Sequence, residues 1–205
     1  MRRAFCLLLM TTVGSGPLSA APSSEDSLAR SIADLSGDRC YGIAAGTIVM
    51  PAASDPQAVD KSAKTLQGMG LSYGVNESIM KGLGRPGLML IAQATMGSRS
   101  FDEGEVVLAF GGSQPGCRVI LLSEPGVNIT DAVSAQLSRM DWKPIPSMTG
   151  TRGAIERRAF FRRDGKRNPY LMNLMTITTP APDSKLRMFT TTIRIPDGVQ
   201  LPAEL

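Results

Sequence analysis

The stretch RRAFFRRDGKRNPYLMNLMTIT, residues 157–178, contains two runs of strand-forming residues on either side of a turn signal. The runs RRAFFRR (157–163) and YLMNLMTIT (170–178) hold aromatic and β-branched residues, which are enriched in strands. The dipeptide Asp164-Gly165 between them is typical of a two-residue β-hairpin turn. Strands joined by so short a connection must run antiparallel. The stretch therefore predicts a hairpin in which Arg162 faces Arg167 across the strands.

The rest of the chain alternates helix signals with strand signals. Helices are predicted at residues 23–37, with Ser24 as a possible N-cap and Gly37 as the stop, at 54–70 behind Asp55, and at 128–140 behind Asn128. Turns containing Gly, Ser or Pro separate the remaining strand candidates. These strands are GLMLIAQATM (87–96), EVVLAF (105–110), CRVILLS (117–123) and KLRMFTTTIRI (185–195).

Hairpin-linked strands with few helices between them predict an α+β fold, an antiparallel sheet covered by helices. We expect a single domain over residues 21–205. The pattern L-x-x-M occurs twice at an offset of 71 residues, at Leu66 and at Leu137. This spacing suggests two units of a helix plus three strands, at about 55–123 and 128–195. A chance likeness between two amphipathic helices explains the pattern equally well.

Residues 1–20 have the layout of a secretory signal peptide. Arg2 and Arg3 precede an apolar run of ten residues, which is too short to span a bilayer, and small residues lead to a cleavage site after Ala20. We expect export by either the general or the twin-arginine route and a periplasmic or secreted protein. No later stretch is apolar for long enough to cross a membrane, so no span is expected in the mature chain.

Export makes a disulfide between the remaining cysteines possible. Cys6 leaves with the signal peptide, and an even pair, Cys40 and Cys117, remains in a compartment that permits disulfides. We therefore predict a disulfide between them.

The sequence lacks the residues that several common chemistries need. It contains no histidine, which excludes Ser-His-Asp and Cys-His catalysis and His-ligated metals. Two mature cysteines are too few for thiolate zinc or iron–sulfur sites. The GLGRPG stretch, residues 82–87, fits G-x-G-x-x-G, but a strand does not precede it and a helix does not follow, as a dinucleotide loop requires. We predict no catalytic residue, no metal and no cofactor.

One enzymatic alternative stays open. Ser78 and Lys81 fit the S-x-x-K pattern, in which a lysine one helical turn away activates a serine. Asp102, Glu103 and Glu105 form a carboxylate cluster, although they flank a glycine turn and are most simply solvated. A hydrolase using Ser–Lys or carboxylate chemistry is therefore the alternative to a binding protein, together with a structural assembly partner that docks through sheet edges.

Positive charge is concentrated near the hairpin. Residues 21–149 have a net charge of −3 and residues 150–205 of +5, while the mature chain is nearly neutral. Near-neutrality and export argue against a nucleic-acid partner. We expect a non-enzymatic envelope protein that binds a lipid headgroup or an acidic protein surface, although basic residues on an edge hairpin also discourage aggregation. The anion-binding candidates are Arg157, Arg158, Arg162, Arg163, Lys166 and Arg167.

Overall fold

A computed structural model describes residues 23–51, 54–112 and 116–201, and the predicted signal peptide lies outside these residues. The first helix is continuous through a π-helical turn at Leu35–Arg39, and a short 3₁₀ helix occupies Pro146–Met148. The α-helices are α1 (Ser24–Asp34), α2 (Cys40–Ala45), α3 (Ala58–Gly68), α4 (Glu77–Ile91) and α5 (Thr130–Arg139).

Nine strands form one sheet in which every neighbouring pair is antiparallel, so the predicted α+β class is confirmed. Their order is β1-β2-β3-β4-β9-β8-β7-β5, and β6 also pairs with β7. The strands are β1 (Ser72–Tyr73), β2 (Thr95–Phe101), β3 (Gly104–Phe110), β4 (Cys117–Ser123), β5 (Lys143–Pro144), β6 (Gly150–Arg152), β7 (Ile155–Arg163), β8 (Pro169–Ile177) and β9 (Leu186–Arg194).

The prediction of a strand over residues 87–96 is wrong. Residues 87–91 form the last turn of α4, and β2 begins only at Thr95. Gly84 has a non-helical backbone with φ of +60°, so α4 consists of two short helices joined by a kink. Pro86 follows the kink in the first turn of the second helix, where its missing N–H breaks no hydrogen bond. The proline therefore starts a helix here.

The first helix also differs from its prediction at both ends. Its N-cap is Ser23, one residue before the predicted Ser24, and the Ser23 hydroxyl accepts from the backbone N–H of Asp26 at 3.2 Å. Gly37 does not end the helix, because the chain continues through the π-helical turn into α2. The Gly37 carbonyl accepts a hydrogen bond from the indole of Trp142 at 3.1 Å. Gly37 is thus a packing residue.

One face of the sheet carries the main core, beneath α1, α2, α3 and α5. The predicted disulfide is present and joins Cys40 of α2 to Cys117 of β4, which fixes the helical layer to a central strand. The buried strand side chains on this face include Val106, Leu108, Val119, Leu121, Phe160, Tyr170, Met172, Leu174 and Met188.

The opposite face is covered by α4 only over β3, β4 and the start of β9. Ile79, Leu83 and Ile91 of α4 pack there in a second cluster. A third, small cluster lies toward β7, where Leu201 packs against a group that includes Phe161. On this opposite face, between the two clusters, no helix among the described residues covers β8 and β9. We call this uncovered part of β7, β8 and β9 the open face.

The two-residue turn predicted at Asp164-Gly165 is wrong. The strand register pairs Arg163 with Pro169 and Arg162 with Tyr170, so a five-residue loop connects the strands. Arg162 therefore does not face Arg167, and the like-charge pair that the sequence suggested does not form.

The two predicted repeat units show a local likeness. Helices α3 and α5 end in similar turns. The backbone N–H of Leu71 donates to the carbonyl of the buried Leu66 at 3.0 Å, and that of Trp142 donates to the carbonyl of the buried Leu137 at 3.1 Å. A two-residue strand follows each turn, again 71 residues apart, and pairs with an outer strand of the sheet. A common origin of the two units stays a prediction.

Candidate anion-binding surfaces

Two of the six cationic candidates point to the helix-covered face of the sheet. Arg158 forms ion pairs with Asp131 of α5 at 2.6 Å and with Glu156 at 2.8 Å. Burial lowers the pKa of Arg158, but the hydrogen bonds and charges of Glu156 and Asp131 raise it by more, so its net pKa is raised. Arg158 therefore links β7 to α5 and its charge is neutralised.

Arg162 has a comparable role at the π-helical turn. Its guanidinium lies 4.4 Å from the centre of the Tyr41 ring, a cation–π contact. It also approaches the carboxylate of Asp38 at 3.5 Å and the carbonyl of Gly37 at 3.4 Å. These contacts fix the far end of β7 to the first helix.

The hairpin loop is organised by its single carboxylate. Asp164 accepts from the backbone N–H groups of Lys166 and Asn168, both at 2.8 Å, from the Asn168 amide at 2.6 Å and from the Tyr170 hydroxyl at 3.3 Å. The hydrogen bond from the Asn168 side chain is the largest of the influences that lower the pKa of Asp164. The carboxylate is thus used inside the loop.

The remaining tip of the hairpin is cationic and exposed. Arg163, Lys166 and Arg167 are exposed, and strand pairing brings Arg194 of β9 beside them opposite Tyr170. Arg163 donates to the carbonyl of Arg167, and Arg194 donates to the side chain of Asn168, which are neutral acceptors. Among the described residues, none of these four cations forms an ion pair. We call Arg163, Lys166, Arg167 and Arg194 the cationic tip.

Arg157 stands apart from both groups. It projects from β7 onto the open face, where its Nε and Nη2 donate to the Oδ1 of Asn173 at 2.9 and 2.6 Å. Arg118 of β4 lies on the same side of the sheet, buried, and donates to the carbonyl of Gly111 at 2.7 Å. Burial lowers the pKa of Arg118, which makes its charge costly to hold.

The residues of the enzymatic alternative are brought only partly together. Ser78 lines an open cleft of about 230 Å³ with Asp102, Glu103 and others. Lys81, which would have to act as the base, forms an ion pair with Glu77 at 2.8 Å. Among the described residues no hydrogen bond joins Ser78 to Lys81, whose ammonium is paired with Glu77 instead, so the geometry gives the Ser–Lys reading no support.

The structure thus divides the six predicted candidates among three places: Arg158 and Arg162 under the helices, Arg157 on the open face, and Arg163, Lys166 and Arg167 at the tip. Sequence reasoning missed Arg194 and Asn173. Arg194 depends on the β8–β9 pairing, whereas Asn173 is signalled by a lone amide inside an apolar strand.

Comparison of the chain with protein-family models, with curated proteins and with solved structures yields no significant match. Within the described ranges, no helix is long and apolar enough to cross a membrane, and no group of three His, Cys, Asp or Glu side chains is placed to hold a metal ion.

Proposed function

We propose that the protein is a non-enzymatic, exported binding protein of the cell envelope that docks on an anionic lipid surface through the cationic tip. The supporting observation is the set of four exposed cations that have no ion pair among the described residues. Three of them are arginines, whose planar guanidinium pairs with phosphate in a bidentate manner. Arg158 and Arg162 hold the hairpin in place and do not take part in docking.

The loop that carries these cations is preorganised for docking. Asp164 ties the loop backbone together, so the exposed side chains project from a fixed base. A surface group on an ordered loop loses less conformational entropy on binding than one on a disordered segment.

Cosedimentation with phosphatidylglycerol vesicles tests the proposal, with phosphatidylcholine vesicles as the neutral comparison. Each basic residue near an anionic membrane contributes about 1 kcal/mol. The triple variant R163Q/K166Q/R167Q should therefore bind on the order of a hundredfold more weakly at low salt. Added salt should weaken binding of the parent protein in the same direction.

A matched variant, K64Q/R85Q/R99Q, removes the same number of exposed positive charges from α3, α4 and β2, and β2 lies five strands from β7 in the sheet. It should bind vesicles nearly as well as the parent. Equal loss in both triple variants would show a net-charge effect and not a site. Retention of vesicle binding by the tip variant would overturn the proposal, and so would binding of an acidic protein surface with no binding of anionic vesicles.

A further inference from the structure

The centre of the open face belongs to neither of the two apolar clusters that flank it. Alternate residues of three strands project from it, and none of them is acidic. Near its centre Asn173, Met175 and Thr191 are half-buried although no helix lies over them in the described parts of the chain. On this side, Ala159, Phe161 and Leu171 are part of the Leu201 cluster or pack against it, Ile177 and Phe189 pack against the α4 cluster, and Ile155 and Arg163 lie at the two ends of β7. The residues outside both clusters are Arg157, Asn173, Met175, Thr191 and Ile193.

Arg157 is oriented there without being neutralised. Its two hydrogen bonds go to a single neutral oxygen, that of Asn173, and leave Nη1 without a hydrogen bond to any described residue. No carboxylate of the described residues lies within 4.0 Å of it. The neighbouring Arg158 shows the contrast, because two carboxylates neutralise it. A guanidinium held in one orientation by a neutral partner, with donors to spare, is prepared to bind an anion.

The groups beside Arg157 are apolar. The register places Met175 directly opposite Arg157, and Phe189 directly opposite Met175, so a row of cation, thioether and ring crosses three strands. Met175 and Phe189 are half-buried; Phe189 packs against the α4 cluster and so forms the edge of the open face, whereas Met175 belongs to no cluster. A polar row runs next to it, with Asn173 opposite Thr191 and Thr191 opposite Arg118. A ligand that fits both rows has an anionic head and an apolar body.

The width of the open face limits the size of that body. The α4 cluster bounds it on the β4 side and the Leu201 cluster bounds it on the β7 side. The residues outside both clusters lie on β7, β8 and β9, a width of two inter-strand spacings or about 10 Å. A single hydrocarbon chain fits this width, whereas a bilayer surface is too broad to reach between the two flanks.

We propose that the open face binds a free, single-chain amphiphile whose carboxylate or phosphate pairs with Arg157 and whose chain lies on Met175 and Phe189. This site uses none of the residues of the cationic tip. It therefore does not depend on the proposed membrane docking, and each can fail without the other.

Titration calorimetry with dodecyl phosphate, kept below its micelle-forming concentration, tests the site. Dodecanol and inorganic phosphate separate the contributions of chain and head. The variant N173D places a carboxylate where Arg157 now meets a neutral amide, so the arginine stays oriented but is neutralised. We expect N173D and R157Q each to weaken dodecyl phosphate binding about ten- to a hundredfold, the range of a charge-assisted hydrogen bond.

Thermal unfolding separates the ligand role of Arg157 from a structural one. N173D creates a new ion pair, so it should unfold at or above the temperature of the parent while losing the ligand. M175Q should weaken the binding of dodecyl phosphate, because it replaces the apolar thioether that contacts the hydrocarbon chain with a polar amide. The tip variant R163Q/K166Q/R167Q should bind dodecyl phosphate like the parent.

Three results would overturn the proposal. The first is a parent protein that binds no dodecyl phosphate, or that binds dodecanol equally well. The second is that the N173D and R157Q variants fold and keep the affinity of the parent. The third is that the tip variant loses dodecyl phosphate binding. The last result would move the anion site to the hairpin. Vesicle binding that survives in N173D confirms that the two sites are separate.

Discussion

The contacts of an arginine of β7 depend on the face of the sheet to which its side chain points. Successive strand residues point to opposite faces, so Arg157 and Arg158 cannot share a surface, and neither can Arg162 and Arg163. This division follows from the sequence once the strand is assigned. The partners of these arginines do not follow from the sequence, because Asp131, Asp38 and the Tyr41 ring belong to helices distant from β7 along the chain.

At the residue scale, Asp164 should control the pH dependence of the hairpin. Its pKa is lowered in the folded protein, so its contribution to stability is present above the unfolded-state pKa of about 3.9 and is lost as the pH falls through the folded-state pKa. D164N removes the charge and an acceptor for the Asn168 amide. We expect D164N to lower the Tm at pH 7, measured by circular dichroism.

The comparison of D164N with the parent protein isolates this residue from the other carboxylates. The difference in Tm between the two proteins should shrink as the pH falls below about 4, because the parent's carboxylate then becomes protonated. A difference that stays constant down to pH 3 would mean that the charge of Asp164 does not hold the loop.

At the element scale, the strands were predicted well where the signal was local. The runs at 105–110 and 117–123 are buried strands in the structure, and the three strand candidates after residue 155 are present. The segment 87–96 failed because a short apolar run fits a buried helix as well as a strand. In the structure the backbone kinks at Gly84 and a new helix starts behind it with Pro86 in its first turn.

Gly37 illustrates a second limit of local reasoning. A glycine after an amphipathic run predicts a helix end, yet this glycine is inside the helix, where side-chain atoms of three residues lie close to the position of an added Cβ. An added Cβ would lie 2.9 Å from Met140, 3.1 Å from Leu137 and 3.2 Å from the indole nitrogen of Trp142. The sequence gives no sign of these neighbours, which lie about a hundred positions further along.

G37A should therefore destabilise the protein by about 1 kcal/mol, the lower end of the range for overpacking, because the terminal methyl of Met140 can move while Leu137 and Trp142 must shift by a few tenths of an ångström. Urea unfolding followed by tryptophan fluorescence measures this directly, since Trp142 is at the site. G68A is the matched control, because Gly68 ends α3 with no atom within 4 Å of an added Cβ. It should be neutral or slightly stabilising. Equal effects of the two substitutions would show that helix propensity, and not crowding, decides the result.

At the scale of the whole molecule, the topology of the sheet places acidic and basic loops far apart. Every neighbouring pair is antiparallel, so the turn between β2 and β3 and the loop between β7 and β8 lie at opposite ends and on opposite sides of the sheet. The first turn carries Asp102 and Glu103, and the second carries Lys166 and Arg167. The charge asymmetry between the two halves of the chain thus becomes a polarity of the molecule, and the proposed docking of the cationic tip on an anionic surface requires such a polarity.

The disulfide is the covalent element that acts on the whole molecule, because it ties the helical layer to the centre of the sheet. Cys40 and Cys117 are 77 positions apart, and closing a loop of that length stabilises a folded chain by about 4 kcal/mol in the chain-entropy model. Reduction of the parent protein should lower the free energy of unfolding by about that amount. Both cysteines are buried in the core, so reduction leaves the packing side chains in place.

Urea unfolding with and without a thiol reductant measures the change in the free energy of unfolding. In a thermal melt, reduction should lower the Tm by about 10 °C for a domain of this size. The variant C40A/C117A controls for the reductant, because its unfolding should not respond to it. The variant should also be less stable than the reduced parent protein, since two buried sulfur atoms are removed and small cavities remain. A parent protein that unfolds at the same urea concentration with and without reductant would show that packing alone holds the helices on the sheet.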